Sequence, residues 1–182
     1  MDHSAALPDY EAPDVLVVAE PGRQRALAHE LRAKIVMLLR EKALSTNQLA
    51  SELGLPKGTV GHHMKVLEQA GLVRVVRRRR VRAVTEKFYG RTARLFVLKG
   101  EDEQPVDPAL AQVILRLAAD ELGSGAHDET TTQALLKARL STADARRFRR
   151  RLERLVDDVR AADSPDGRPY GLVTGLYRTS LG

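Results

Sequence analysis

Apolar and polar positions alternate with different periods along this chain, and each change of period marks a predicted element. From Pro21 onward Leu27, Leu31, Ile35, Leu38 and Leu39 fall at helical spacing, and Pro21 suits a first helical turn, where its missing N–H costs nothing. One or two packed helices are expected there. Ser45 reads as the N-cap of a short helix through Leu53, with Leu49 and Leu53 on one face and Gly54 ending it in a left-handed conformation. Pro56 opens a further helix of roughly Lys57–Ala70, with Val60, Met64 and Leu67 at i, i+4 and i+7, stopped by Gly71.

Beyond Gly71 the period shortens. "LVRVV" and "RVRAV" are β-branched and partly alternating, which predicts two antiparallel strands joined near Arg77–Arg80. No Gly or Asn stands at that tip, so a loop longer than a tight two-residue turn is expected. Upstream, residues 1–20 carry Pro8 and Pro13 and several acids, and read as a loose arm with one short strand at Val15–Ala19.

Residues 99–108, "KGEDEQPVDP", have the composition of a linker. Ala109–Leu122 then reads as a helix with Leu110, Val113 and Leu117 on its apolar stripe. After the break "GSGAHDE", two helical stretches are expected, about Thr130–Leu140 and Thr142–Ala162, the second opened by Ser141 with Asp144 three residues on. Along that helix Ala145, Phe148, Leu152, Leu155 and Val159 step by three and four, a narrow seam of the kind two helices share. The closing "YGLVTGLYRT" reads as a strand.

Composition sharpens this picture. With 182 residues and 43% hydrophobic content the chain can bury a core. It has no cysteine, which excludes disulfides, thiolate nucleophiles and Cys-based metal sites. The acidic N-terminus lacks the basic and apolar regions of a signal peptide, and no window approaches the roughly eighteen apolar residues of a membrane span. A soluble cytoplasmic protein is the expectation. Charge is unevenly spread: Lys57 to Arg94 holds eleven Lys or Arg against Glu68 and Glu86, while residues 1–22 hold five acids and no Lys or Arg. Such a concentration favours a polyanionic partner. Asp and Glu pairs such as Asp157–Asp158 show no spacing with His or Ser that would build a catalytic site. Neither an enzyme nor a bound cofactor is expected.

Thr46–Leu53, Gly54–Pro56 and Lys57–Ala70 together have the spacing of a helix-turn-helix, which projects its second helix into a DNA major groove. "ALAHELRAKIVMLL", "STNQLASELGLPKGTVGHHMKVLEQAGLV" and the basic "VRRRRVRAVTEKFYGRTA" together resemble the winged helix-turn-helix of the ArsR-type transcriptional regulators, in its cysteine-free branch. The resemblance covers about residues 21–98. It implies a homodimer on double-stranded DNA, with the second motif helix in the major groove and the wing along the neighbouring backbone. The family's metal sensors carry Cys pairs on the first motif helix, where "TNQLASELG" has none, so metal sensing of that kind is excluded. Gly61 stands where the family commonly has Ser, so that either the backbone approaches DNA closely there or one contact is lost.

On the second motif helix, Val60, Met64 and Leu67 define the buried face, leaving Lys57, Gly58, Thr59, Gly61, His62 and Lys65 to a ligand. Thr59 and His62 lie in the half that reaches base edges, and Lys57 and Lys65 are candidate phosphate clamps. His62 has the alternative of an exposed histidine without a partner; His63, beside the apolar face, reads as a packed residue. Adjacent histidines do not chelate from one helix face, where ligand pairs prefer i, i+4, and no metal site is expected. Thr46 and Gln48 sit at a helix start that carries unpaired donors and a positive dipole end. On the wing, Arg78 and Arg79 are expected to reach into the minor groove, with Arg74, Arg80 and Arg82 tracking phosphates. A second basic run, "ARRFRRRLERL", surrounds the apolar seam and reads as a solvated face.

The chain is therefore read as mostly α with a small β-hairpin wing: an arm at 1–20, a winged helix-turn-helix at 21–98, a linker at 99–108 and a helical C-terminal region at 109–182 that serves dimerisation or binds an effector or partner. The function expected is sequence-specific transcriptional regulation. A sequence-independent architectural nucleic-acid-binding protein is the alternative, and a module docking its wing on an acidic protein is a third reading.

Overall fold

The computed structural model describes residues 8–81, 84–100, 105–124, 129–164, 167–168 and 170–179. Residues 6–119 form one compact unit and residues 120–182 fall in a second.

The first unit contains β1 (Val15–Val18), α1 (Pro21–Leu27), α2 (Glu30–Leu38), β2 (Leu44–Ser45), α3 (Thr46–Leu53), α4 (Lys57–Gln69), β3 (Val73–Val81), β4 (Val84–Arg91) and β5 (Leu95–Leu98), followed by the start of α5 (Pro108–Ser124). Its core is built from the side chains that the helical spacing places together. Ile35, Leu39, Leu49, Val60, Leu67, Leu72 and Leu110 are all fully buried. Each such aliphatic side chain stabilises the fold by roughly 1.5–3 kcal/mol relative to exposure.

The helix boundaries follow local chemistry. Pro21 occupies the first turn of α1. The Ser45 hydroxyl accepts from the Gln48 amide at 3.4 Å, and the Gln48 side-chain oxygen accepts from the Ser45 amide at 2.9 Å. This reciprocal capping box satisfies two donors at the start of α3. Gly54 ends α3 at φ 63° and Gly71 follows α4 at φ 68°, both in the left-handed region that other residues adopt only at a cost.

One buried polar side chain ties distant segments together. The Gln24 amide donates to the carbonyls of Val18, Ala19 and Lys99 at 3.2, 3.0 and 2.8 Å, while its oxygen accepts from the Asp107 amide at 2.7 Å. It thereby fixes the end of β1, the end of β5 and the entry to α5, with both ends of its amide engaged. Strands β1 and β5 pair in parallel, Val15 opposite Leu95.

The order β2-β4-β3 forms the wing sheet, antiparallel throughout. Here the structure corrects the sequence reading. Arg77–Arg80 is not the hairpin tip: it lies inside β3, paired with Thr85–Phe88 of β4, and "TEKFYGR" is the partner strand. The pairing runs on to Val81 opposite Val84; residues 82 and 83, Arg82 among them, lie outside the described residues. Within this extended run, β4 supplies Phe88 for Arg77 and Arg79 to stack on and Glu86 for Arg79 to pair with. A register shift between Val75 and Arg77 leaves Val76 without an opposite residue. Such a bulge reverses the faces of the residues beyond it.

In the second unit, α6 (Thr142–Ala161) begins at Ser141, whose hydroxyl accepts from the Asp144 amide at 3.1 Å. Two expectations fail here. Residues 130–140 are not helical, and 170–179 form no strand. The first opens on β-branched Thr130–Thr132 and is too short to hold a helix unless its leucines are buried; Leu135 and Leu136 are exposed. The second has no other strand of its unit to pair with among the described residues, and Gly171 and Gly175 weaken it further.

Candidate nucleic-acid interface

Helix α4 stands on α3 through Val60, Met64 and Leu67, all buried. That packing turns Lys57, Gly58, Thr59, His62 and Lys65 outward, and all five are exposed. Pro56 precedes the helix without a side-chain cap. The first amides of α4 therefore point to solvent beside the Lys57 ammonium, an arrangement suited to an anion. Gly61 is only partly exposed: a Cβ there would lie 3.9 Å from the Thr46 methyl. It thus sits at the close approach of α4 to the start of α3 rather than at the centre of the outward face.

Sequence reasoning placed Gln48 on this surface. The residue is exposed, but its side-chain oxygen is engaged by the capping box, which leaves the amide nitrogen as the group able to meet a phosphate. The S-x-x-Q pattern was the available signal. His63 packs as expected, its ring 4.6 Å from that of His29. Burial first, then His29, Arg32 and His62, lower its pKa from the ordinary histidine value. His29 caps α2 by accepting from the Leu31 amide at 3.2 Å.

The wing sorts its arginines by strand face. Arg77 and Arg79 lie over the ring of Phe88, at 4.9 and 5.4 Å from its centroid. Both meet acids: Arg79 pairs with Glu86 at 3.2 Å and Arg77 with Asp9 at 3.4 Å. The Ser45 hydroxyl first, and Arg79 beside it, hold the Glu86 carboxyl below its ordinary range, with the Lys57 charge adding to the effect. Arg78 and Arg80, opposite Lys87 and Thr85, are exposed and form no ion pair among the described residues. These three cations form the part of the wing whose charge is unopposed.

The sequence revealed an N-terminal arm, read as loose, but not the contacts that hold it. Asp9 accepts from the Ala43 amide at 2.5 Å and its own amide donates to the Glu41 carbonyl at 3.0 Å. Tyr10 donates its hydroxyl proton to the Leu39 carbonyl and accepts from the Arg91 amide at 2.9 Å. Arg74, expected on phosphates, donates to the Glu11 carbonyl at 2.6 Å. Arg94 donates its amide to Pro13 at 2.8 Å and pairs with Asp14 at 3.6 Å. The acidic arm is thus laid along the root of the wing. Beneath it, the Arg91 guanidinium is buried 4.2 Å from the Phe96 ring centroid, and desolvation lowers its pKa to about 10.

No helix among the described residues is long and apolar enough to cross a membrane.

Residues 27–76 match a family model described as a helix-turn-helix domain. Over 74 residues, 40% of this chain, the sequence is 34% identical to the HTH-type transcriptional repressor SmtB of Mycobacterium tuberculosis. The match covers 55% of that repressor, so the chain spans about half the length of the curated relatives it matches. Among solved structures, HlyU from Vibrio cholerae superposes with a TM-score of 0.33 and 26% identity, over 53% of this chain and 84% of that one. A homodimeric winged helix-turn-helix DNA-binding domain from Mycobacterium bovis superposes with a TM-score of 0.35 and 22% identity, over 59% and 85%.

Proposed function

We infer that this chain is a member of the ArsR/SmtB-type winged helix-turn-helix regulators, and that it binds double-stranded DNA sequence-specifically, as a homodimer, to regulate transcription in the cytoplasm without catalysing a reaction. The observation that carries this reading is the shared exposure of Lys57, Thr59, His62 and Lys65 on α4 beside a wing whose outer face holds Arg78, Arg80 and Lys87. In this geometry the first half of α4 reaches base edges, with Thr59 and His62 as readers. Lys57, Lys65, Thr46 and the Gln48 amide meet phosphates. The wing cations add affinity with little sequence preference. Arg74 and Arg79 join this set only when they leave their intramolecular partners.

The test is a binding titration against genomic duplexes that the protein protects and against scrambled versions, at two salt concentrations. A regulator keeps a specificity ratio of at least ~10³ as salt rises. A ratio near one means that the surface is a sequence-independent, architectural clamp, and overturns the assignment.

A further inference from the structure

Helix α6 carries an apolar seam that its own unit leaves uncovered. Phe148 and Leu152 are half-buried, whereas Leu155 and Val159 retain 43% and 46% of their full exposure. The seam repeats every three and four residues over the 20 residues of the helix, the pattern by which one helix receives another.

The charges beside the seam identify the occupant. In the first half of α6, Arg146, Arg147, Arg149, Arg150 and Arg151 stand against Asp144 alone, a balance of 5 − 1 = +4, while in the second Glu153, Asp157 and Asp158 outnumber Arg154 and Arg160, a balance of 2 − 3 = −1. That polarity is opposite to the one a helix's own dipole favours, and it is complementary to the same helix running the other way. Several of these charges are already paired within the helix: Arg147 with Asp144 at 2.9 Å, Arg149 with Glu153 at 3.7 Å and Arg160 with Asp157 at 3.2 Å. Arg151 and Asp158, each one residue before a seam position, form no ion pair among the described residues.

We propose that α6 pairs antiparallel with α6 of a second copy of this chain, Leu152 against the partner's Leu155 and Phe148 against the partner's Val159. In that register Arg151 faces the partner's Asp158, and the two-fold axis repeats the contact. A parallel pair would leave both residues without an opposite charge. The proposal deepens the homodimer reading by giving the dimer a contact outside the helix-turn-helix unit. Two helices of this length hold weakly by themselves, so this contact reinforces a dimer tethered elsewhere.

The full-length chain without DNA provides the test. Sedimentation equilibrium of Arg151→Glu and of Asp158→Arg is expected to show dimer dissociation at least tenfold weaker than in the parent, with dimerisation restored in the double variant carrying both changes. Because the chain has no cysteine, mixing Arg151→Cys with Asp158→Cys is expected to give the mixed disulfide ahead of either homodisulfide. Dominant cross-linking of Arg151→Cys to itself overturns the antiparallel arrangement. A parent dimer that both single reversals leave unchanged overturns the α6 contact while leaving the homodimer reading intact. A parent that stays monomeric at about 100 μM overturns both.

Discussion

The ring of Tyr10 lies so close to Gly90 that a Cβ on the glycine would come within 2.6 Å of the ring carbon Cε2. Glycine is required there because the arm crosses β4 with no room for a side chain, and it fixes the tyrosine hydroxyl between the Leu39 carbonyl and the Arg91 amide.

Replacing Gly90 by Ala must therefore displace Tyr10 and break both hydrogen bonds. A loss of roughly 1–3 kcal/mol is expected, measured by denaturant unfolding. In a Tyr10→Ala background the same change should cost little, because alanine suits a strand better than glycine. An equal cost in both backgrounds would show that the strain lies elsewhere in β4.

Ser45 both caps α3 and supports the Glu86 carboxylate, and it is almost fully buried. Ser45→Ala should cost about 1–2 kcal/mol, lowering the melting temperature of this 182-residue chain by several degrees. Ser45→Thr should recover part of the loss. A variant as stable as the parent would mean that the capping box contributes nothing.

Arg78 and Arg79 are neighbours of different electrostatic standing, since Glu86 opposes only Arg79. On DNA, Arg78→Ala should reduce the slope of log K against log salt by about 0.9, the value for one phosphate contact. Arg79→Ala should change it much less. Fluorescence anisotropy over a salt series separates them; equal reductions would show that Arg79 leaves Glu86 when DNA binds.

His63 binds its proton more weakly in the folded chain than the ordinary value of ~6.5 in the unfolded one. The unfolded state thus takes up protons first as pH falls. The stability contributed by this group is complete above ~6.5 and is lost as pH drops through the lowered folded value. Melting temperature should fall between pH 7.5 and pH 5, and His63→Gln, which cannot be protonated in this range, should flatten the fall. An unchanged profile would show that His63 does not carry the effect.

How much of this was legible in the sequence depended on how local the cause was. Ser45, Gly54 and Gly71 act within a few residues of themselves, and the helix-turn-helix they delimit could be read from them directly. The wing could not be read as well, because four arginines resemble a loop until Phe88 and Glu86 are known to lie opposite. The arm's place was hidden altogether: Tyr10 binds backbone groups 29 and 81 residues away, and backbone groups leave no mark in composition. Residues 130–140 and 170–179 were misread for the converse reason, since their patterns were present but not the partners that would make them regular. Among the proposed site residues, the exposure of Lys57, Thr59, His62 and Lys65 could be read from the buried face opposite them, whereas the intramolecular commitments of Gln48, Arg74 and Arg79 needed coordinates.

The unpaired Val76 makes the wing's chemistry depend on the register of the residues as well as their kind. Were Val76 instead paired with Phe88, as in a ladder without the bulge, every arginine and the local charge would remain, yet each position beyond it would move to the opposite side of the sheet. Arg78 and Arg80 would then lie on the Phe88 side, and Arg77 and Arg79 would face outward. The bulge works as a reading frame, choosing which two guanidinium groups the protein keeps for itself and which two it presents.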